Sequence, residues 1–534
     1  MAAFLMGVDV GTGSARAGLF DAEGRRLARA EHPIRIHTPE PDFVEQSSDD
    51  IWDAVGLAAR ECVRQAGIAP EEVRGLAFDA TCSTVCLDRN GRPVTVSRTA
   101  DNAWDVIVWM DHRATAEADA CNATGHRVLD YVGGSISPEM AVPKLLWLKQ
   151  NLPGSWARLG LLFDLADFLG WRATGNPARS ACTVTCKWTY LAHEKSGWQP
   201  DFLAAAGVPD LIERGALPAR AAEIGDDLGP LTPDAARHLG LTTACRVGAG
   251  LIDAHAGALG VLGGRAGGGS VELDRRLALI AGTSSCHMAL SREPRSVQGV
   301  WGPYFGAVLP GWWLNEGGQS ATGALLDHII ALHSAGAELG SRPHDAILAR
   351  IAQLRERDGD DFARGLHVLP DFHGNRSPLA DPHAAGVISG LTLDRSVDAL
   401  CRLYYRTAVA IALGTRHILD ALRSKGYAID RLHVTGGHTK NPLLMELYAD
   451  ATGCEVIASS EDDAVLLGDA IVAARAAGLH PDLASAAAAM AREGEVRRPD
   501  QARQAGFERD YRGFLLMHEQ RRALLAAAGH GASV

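Results

Sequence analysis

The sequence predicts an α/β protein of two lobes built on a duplicated core, and three observations carry that prediction. A chain of 534 residues is too long to close around one hydrophobic core. An apolar strand, a Gly-Thr turn and a returning strand occur twice, at residues 4–20 and again at 277–290. Between the copies lies Gly263-Gly264-Arg265-Ala266-Gly267-Gly268-Gly269-Ser270, the most flexible composition in the chain. The boundary is therefore set beside it, with one lobe over residues 1–262 and the other over 263–534.

Composition narrows the class. With 47% apolar and 22% charged residues the chain reads as an ordinary globular protein. Its net charge of −12 is spread without an acidic or basic block, which argues against a nucleic-acid partner. A polyanionic ligand would have to be held by backbone amides and a metal ion. No run of about 18 uncharged apolar residues occurs, and Met1 leads directly into a strand, so no membrane association and a cytoplasmic location are expected. Of the ten cysteines, only Cys82/Cys86 and Cys182/Cys186 approach ligand spacing. Both pairs read as lying in β-like surroundings without the short knuckle of a structural zinc site, so buried free thiols are expected.

Phe4 to Val10 is an apolar strand, Gly11-Thr12-Gly13-Ser14 a tight turn and Ala15 to Phe20 the returning strand. Such a turn presents open amides and two hydroxyls to phosphate oxygens, and Asp9 at the strand end can hold hydrated Mg²⁺ against them. An ordinary hairpin turn is the other reading. Gly282-Thr283-Ser284, between Leu277–Ala281 and Ser285–Leu290, repeats the plan. Two such hairpins suggest halves that face one nucleotide from opposite sides.

Ser47 to Asp50 reads as an N-cap and acidic first turn for a helix that stops near Gly67, and Val73 to Phe78 as a buried strand. The polar run Asp79-Ala80-Thr81-Cys82-Ser83 at its end is either a ligand-contact segment or a plain turn. Trp109 offers an apolar face to a sugar's carbons and Asp111 an acceptor for its hydroxyls; a core tryptophan with a surface ion pair is the alternative. Helical segments are predicted around 144–150 and 157–171. Lys187 is a hydroxyl or phosphate donor, or a lysine snorkelling to the surface.

The central stretch Gly250-Leu251-Ile252-Asp253-Ala254-His255-Ala256-Gly257 sets one carboxylate in an apolar, glycine-flanked run. Asp253 is a candidate general base toward a hydroxyl, with the capping of a helix N-terminus as the competing account. Glu316, between strand and helix, is a candidate hydroxyl acceptor or a helix-start residue. The loop from Asp371 to Pro382 shows no obvious chemistry. A long helix from Ser396 to about Lys425 and a strand over 431–435 precede Gly436-Gly437-His438-Thr439-Lys440-Asn441, where a glycine pair lets backbone approach a flat ligand such as adenine. Helices from Asp463 and after Leu483 close the chain.

Taken in order, six motifs resemble the FGGY carbohydrate kinases, within the ribonuclease H-like sugar kinase/Hsp70/actin superfamily. They are Asp9 to Ser14, Trp109 with Asp111 and Arg113, Asp253 in Gly-Leu-Ile-Asp-Ala-His, Gly282-Thr283-Ser284, Glu316 to Ser320, and Gly436-Gly437 with Lys440-Asn441, over residues 4 to 480. The resemblance implies mixed sheets flanked by helices, with ATP and sugar in an interlobe cleft. It makes Asp253 the base and assigns Asp9, Gly11, Thr12, Gly13, Ser14, Arg16, Gly282, Thr283 and Ser284 to phosphates and Mg²⁺, with Asp253 a second metal contact. Gly436, Gly437 and Asn441 then lie near the adenosine. The sugar is met by Asp79, Thr81, Cys82, Trp109, Asp111, Lys187, Asp253 and Glu316. Xylulose kinases carry Met-His and glycerol kinases Arg-Glu where this chain has Thr81-Cys82, and the surrounding segments look more like the ribulokinase branch. A kinase for D-ribulose is the resulting expectation, with L-ribulose, xylulose, a polyol such as glycerol, or a non-catalytic sugar sensor as alternatives. The resemblance also suggests a homodimer.

Overall fold

The structure, a computed structural model, describes residues 3–263, 272–461 and 463–528; most of the glycine-rich stretch, and with it the expected lobe boundary, lies outside the described residues. Two mixed sheets dominate. The first runs Arg26–Pro33, Ser14–Phe20, Phe4–Val10, Val73–Ala80, Arg246–Ile252 and Asp227–Pro230 in spatial order. The second runs Trp301–Phe305, Trp313–Gln319, Ser285–Ser291, Arg276–Ala281, Arg431–Thr435, Glu455–Ser459 and Glu493–Arg497. Within each, an antiparallel hairpin is extended by a third antiparallel strand on one side and two parallel strands on the other. The two hairpins seen in the sequence are thus the same position of a repeated sheet. Phe4–Val10 is uninterruptedly apolar apart from Asp9 because the sheet is covered on both faces.

The helices after the two equivalent strands, Asp253–Leu262 and Ala464–Ala476, pack against each other, and each also reaches the opposite sheet. Ala464–Ala476 lies on Phe4–Val10, Val73–Ala80 and Arg246–Ile252, while Asp253–Leu262 reaches Arg276–Ala281. Their backbones meet without intervening side chains. A Cβ on Gly260 would overlap the Ala464 carbonyl, one on Gly468 the Ala256 carbonyl, and one on Gly7 the Leu466 carbonyl. The two sheets are therefore joined by side-chain-free crossings that fix where the Asp253 helix begins.

Local signals explain the elements around the site. Ser47 caps Ser48–Ala66 by accepting the Asp50 N–H, and Gly67 ends it in the left-handed conformation. Asp105 ties this helix to the strand Val106–Ile107, taking the Ser48 N–H at 2.8 Å and its hydroxyl at 2.6 Å. Two sequence expectations change. The predicted helix over 157–171 is broken by the strand Leu161–Asp164, which pairs with Thr84–Leu87, because an apolar run such as Leu161-Leu162-Phe163 suits either state until a partner edge is present. Residues 181–187 form a helix capped by Ser180, although Thr183, Val184 and Thr185 favour a strand. The cysteines form no disulfide, with Cys82 and Cys286 half-buried and the rest buried.

The helix crossing makes Gly468→Val costly, by roughly 3 kcal/mol of unfolding free energy in denaturant titration, whereas Gly154→Ala, whose Cβ meets nothing, leaves stability within the usual range of surface changes. Asp105 carries a pH signature. Burial raises its carboxyl from 3.8 to about 7, so the folded chain keeps a proton that the unfolded chain loses near 4, and this contribution to stability fades as the pH rises through 7. The unfolding free energy of the wild type minus that of Asp105→Asn is expected to fall by roughly 2–4 kcal/mol between pH 4 and pH 8.

Candidate active site

The first turn is closed by the Gly11 N–H bonding the Ser14 carbonyl at 3.0 Å, and nothing lies within 4 Å of a Cβ placed on Gly13. Its amides are open to an anion. Arg16 reaches back over Gly11 to pair with Asp9 at 2.6 Å. Asp9 is fully buried and its Oδ1 has no partner among the described residues. Burial, opposed by Arg16 and aided by Asp253 and Asp463, lifts Asp9 to about 7. A buried carboxylate oxygen without a donor, beside an open phosphate-type turn, fits a hard cation held through water.

The second turn, Gly282-Thr283-Ser284, is tied to the loop after Trp313–Gln319, since Thr322 and Gly323 donate to Thr283 and Gly282. His438 bonds both the Gly282 carbonyl, at 3.1 Å, and the Tyr448 hydroxyl, at 2.9 Å, bringing the Gly436-Gly437 loop beside that turn. Gly436 has φ 89° and runs against Ala281, so no side chain fits there. The result is a cavity of about 500 Å³ whose lining includes Thr283, Gly437, Asn441, Asp327, His344 and Tyr404. Asn441 borders it while its Oδ1 caps Pro442–Thr452 by accepting the Leu443 and Leu444 N–H groups. Its cap role is fixed and its amide bonds Tyr404.

Asp253 opens its helix directly after Arg246–Ile252, at the end where the sheet's parallel strands finish. Its Oδ1 takes the Ala254 N–H at 2.7 Å and Oδ2 is left as the available acceptor. The helix N-terminal location is real, yet the residue does not cap through its side chain to the second or third amide. Burial lifts its carboxyl above the ordinary aspartate value against the pull of Ala254, His255 and Arg16. It shares its field with Asp9 and Arg16 and with His255 and Glu316.

The expected sugar wall divides. Lys187 lies within the fields of both Cys82 and Glu316, and Cys82 also senses Asp253. Lys187 stacks its ammonium 5.2 Å above the Trp301 ring; burial opposes its charge, but Cys82, Glu316, Tyr304 and Glu139 outweigh it. Trp109 is half-buried, with its indole N–H on the Thr12 hydroxyl at 3.0 Å, so it joins this wall to the first phosphate turn. Three expected contacts point elsewhere. Asp111 is buried and spent on Arg113 and the Val44 N–H, with Arg113 completing the network on Glu45: the ion pair is real but interior. Asp79 is buried beside Asp9 in register and lies in the field of Asp469 of the crossing helix. Thr81 turns inward to the Ser83 hydroxyl, which in turn receives the Trp109 N–H.

Several residues escaped the sequence reading. Arg376, from the loop judged featureless, lies 5.3 Å from the Trp301 ring and feels Glu139 and Glu316. Glu139 is held near 2 by His112, Lys187 and Arg376 against its burial. His255 bonds Glu316 at 3.3 Å. Only His255 carried a local signal, two positions beyond Asp253 in the same motif.

Residues 4–260 match the N-terminal domain, and 277–477 the C-terminal domain, of the FGGY family of carbohydrate kinases. An FGGY carbohydrate kinase domain-containing protein of Homo sapiens is 44% identical over 98% of this chain and 97% of its own. A D-ribulokinase of Saccharomyces cerevisiae is 39% identical over 89% of this chain and 72% of its own. The xylulose kinase from Rhodospirillum rubrum shares the fold with a TM-score of 0.80 at 24% identity, covering 99% of this chain and all of that one. No helix among the described residues is long and apolar enough to cross a membrane.

Proposed function

The chain belongs to the FGGY family of carbohydrate kinases, and from that premise we propose that it transfers the terminal phosphoryl group of ATP to D-ribulose, giving D-ribulose 5-phosphate. The observation that carries the reading is Asp253, a carboxylate with Oδ1 on the Ala254 N–H and Oδ2 unspent among the described residues, which shares the fields of Arg16 in the first turn and of Glu316 in the wall. The likeness to the yeast D-ribulokinase supports the choice of ketopentose.

Phosphoryl transfer asks a protein mainly for alignment and charge neutralisation. In this reading Asp253 accepts the proton of the attacking hydroxyl. Burial makes it a stronger base than an exposed aspartate, and its helix N-terminus stabilises the ionised form before transfer. The Thr12 and Gly13 amides of the first turn and those of Thr283 and Ser284 in the second hold phosphate oxygens, and the cavity beside Gly437 and Asn441 takes the adenosine. Asp9 Oδ1 would hold Mg²⁺ through water. Bound there, that ion supplies neutralisation of the charge on the phosphate oxygens. Lys187 and Arg376 donate to sugar hydroxyls, Glu316 accepts from them, and Trp301 and Trp109 give apolar faces. Residues 1–262 and 263–534 are the two lobes of this reading.

An assay of ADP release over D-ribulose, L-ribulose, D-xylulose and glycerol is expected to give the highest kcat/KM with D-ribulose; a clear preference for another acceptor would replace the substrate assignment. Asp253→Asn should lower kcat by about 10²–10⁴-fold while sugar binding, read by calorimetry, persists; near-normal turnover would remove the residue from the base role. Arg376→Met is expected to raise KM for the sugar by about 10–100-fold with KM for ATP little changed, because its guanidinium belongs to the sugar wall and not to the nucleotide cavity.

A further inference from the structure

The helix Ala181–Lys187 carries Cys182 and Cys186 four residues apart, on one face. Both sulfurs meet the ring of His255: Sγ of Cys182 is 3.0 Å and Sγ of Cys186 4.0 Å from Nδ1. The three atoms all lie within 4.8 Å of one another, and the three side chains are at most 1% exposed. The other ring nitrogen, Nε2, bonds Oε2 of Glu316 at 3.3 Å. The Ile252 N–H points at the Cys182 sulfur at 3.4 Å. None of these three ligand-type atoms has a part in the phosphoryl transfer described above.

The geometry points to a site for a thiophilic divalent cation of the Zn²⁺ class, bound by the sulfurs of Cys182 and Cys186 and by Nδ1 of His255. Bonds of about 2.3 Å to sulfur and about 2.0–2.1 Å to nitrogen set the ligand atoms of a tetrahedral centre roughly 3.5 Å apart, and the two sulfur–nitrogen separations bracket that value. The Glu316 bond supplies an independent mark. A metal-bound imidazole characteristically donates its second N–H to a carboxylate, which fixes the tautomer and turns the other nitrogen toward the ion. Two thiolates against one dication leave the centre neutral, which suits its burial. On binding, two protons pass to solvent, the one shared by Sγ of Cys182 and Nδ1 of His255 and the one on Cys186, and His255 keeps its Nε2–H on Glu316. The ion would sit behind the sugar wall, tying two helices of the first lobe through His255 to the Trp313–Gln319 strand of the second.

The test uses the full chain expressed in medium supplemented with Zn²⁺ or Co²⁺ and purified without chelator, since a buried centre is filled as the chain folds. About one metal per chain is expected by elemental analysis, and the Co²⁺ form should show thiolate-to-cobalt charge-transfer absorption. Cys182→Ser and Cys186→Ser should each abolish that absorption and the bound metal. Glu316→Gln, which leaves all three ligands in place, should weaken Zn²⁺ retention against a competing chelator by about 10–100-fold. Circular dichroism establishes that each variant is folded, and the wild-type spectrum decides the matter if one is not. Metal-free wild-type protein from supplemented medium would overturn the proposal, as would metal bound equally by Cys182→Ser, or a Cys182–Cys186 disulfide found by mass spectrometry in place of metal. Each of these readouts is independent of sugar phosphorylation, so the site and the kinase assignment stand or fall separately.

Discussion

The contact on which the rest of the molecule depends is the crossing of two helices at glycine. Because Gly260 and Gly468 admit a neighbouring carbonyl where any side chain would collide, the helices Asp253–Leu262 and Ala464–Ala476 approach backbone to backbone, and the sheets they cover are brought to a fixed separation. The first residue of one of those helices is Asp253. Its placement relative to the Gly11–Ser14 turn and to Glu316 follows from this packing and not from any loop, as the proposed role of a general base requires.

Around that residue the charges are sorted. Asp9, Asp79 and Asp469 crowd the side of the first turn, with Arg16 the cation beside Asp9, and burial pushes all three carboxyls up. Such a cluster suits the neighbourhood of a cation. Lys187, Arg376 and the His255 ring gather on the opposite side, where they hold Glu316 and Glu139 below the ordinary carboxylate range despite burial. A neutral, hydroxyl-rich acceptor there would meet fixed donors and acceptors without a net field to overcome. Trp109 bridges the two sides through Thr12.

The elements that could be read from the sequence are those whose signal is local. The strand–turn–strand hairpins, the capped helix Ser48–Ala66 and the Asp253 motif declare themselves within a dozen residues. Direction was harder. Asp79, Thr81 and Asp111 sit at strand ends as expected, but a strand alternates its faces, and the partners that decide which face is inner, Asp469 and Arg113 with Glu45, are set by tertiary packing. Arg376 and Trp301 meet only because loop and sheet edge converge, so neither has a sequence neighbour to betray it. Cys182 and Cys186 were misplaced because β-branched neighbours imitate a strand, and in a strand the two sulfurs could not have faced one histidine from a single helical turn.

The exchange of helices between the sheets also governs how the chain can be made. Phe4–Val10 and Val73–Ala80 leave the ribosome long before Leu466 and Ala473, which cover the face that Gly7 and Gly75 keep bare for close approach. The first lobe therefore cannot finish folding as an autonomous unit during translation. Its apolar face waits, exposed, until the Ala464–Ala476 helix has emerged, and that interval is when a nascent chain of this design is most dependent on chaperones.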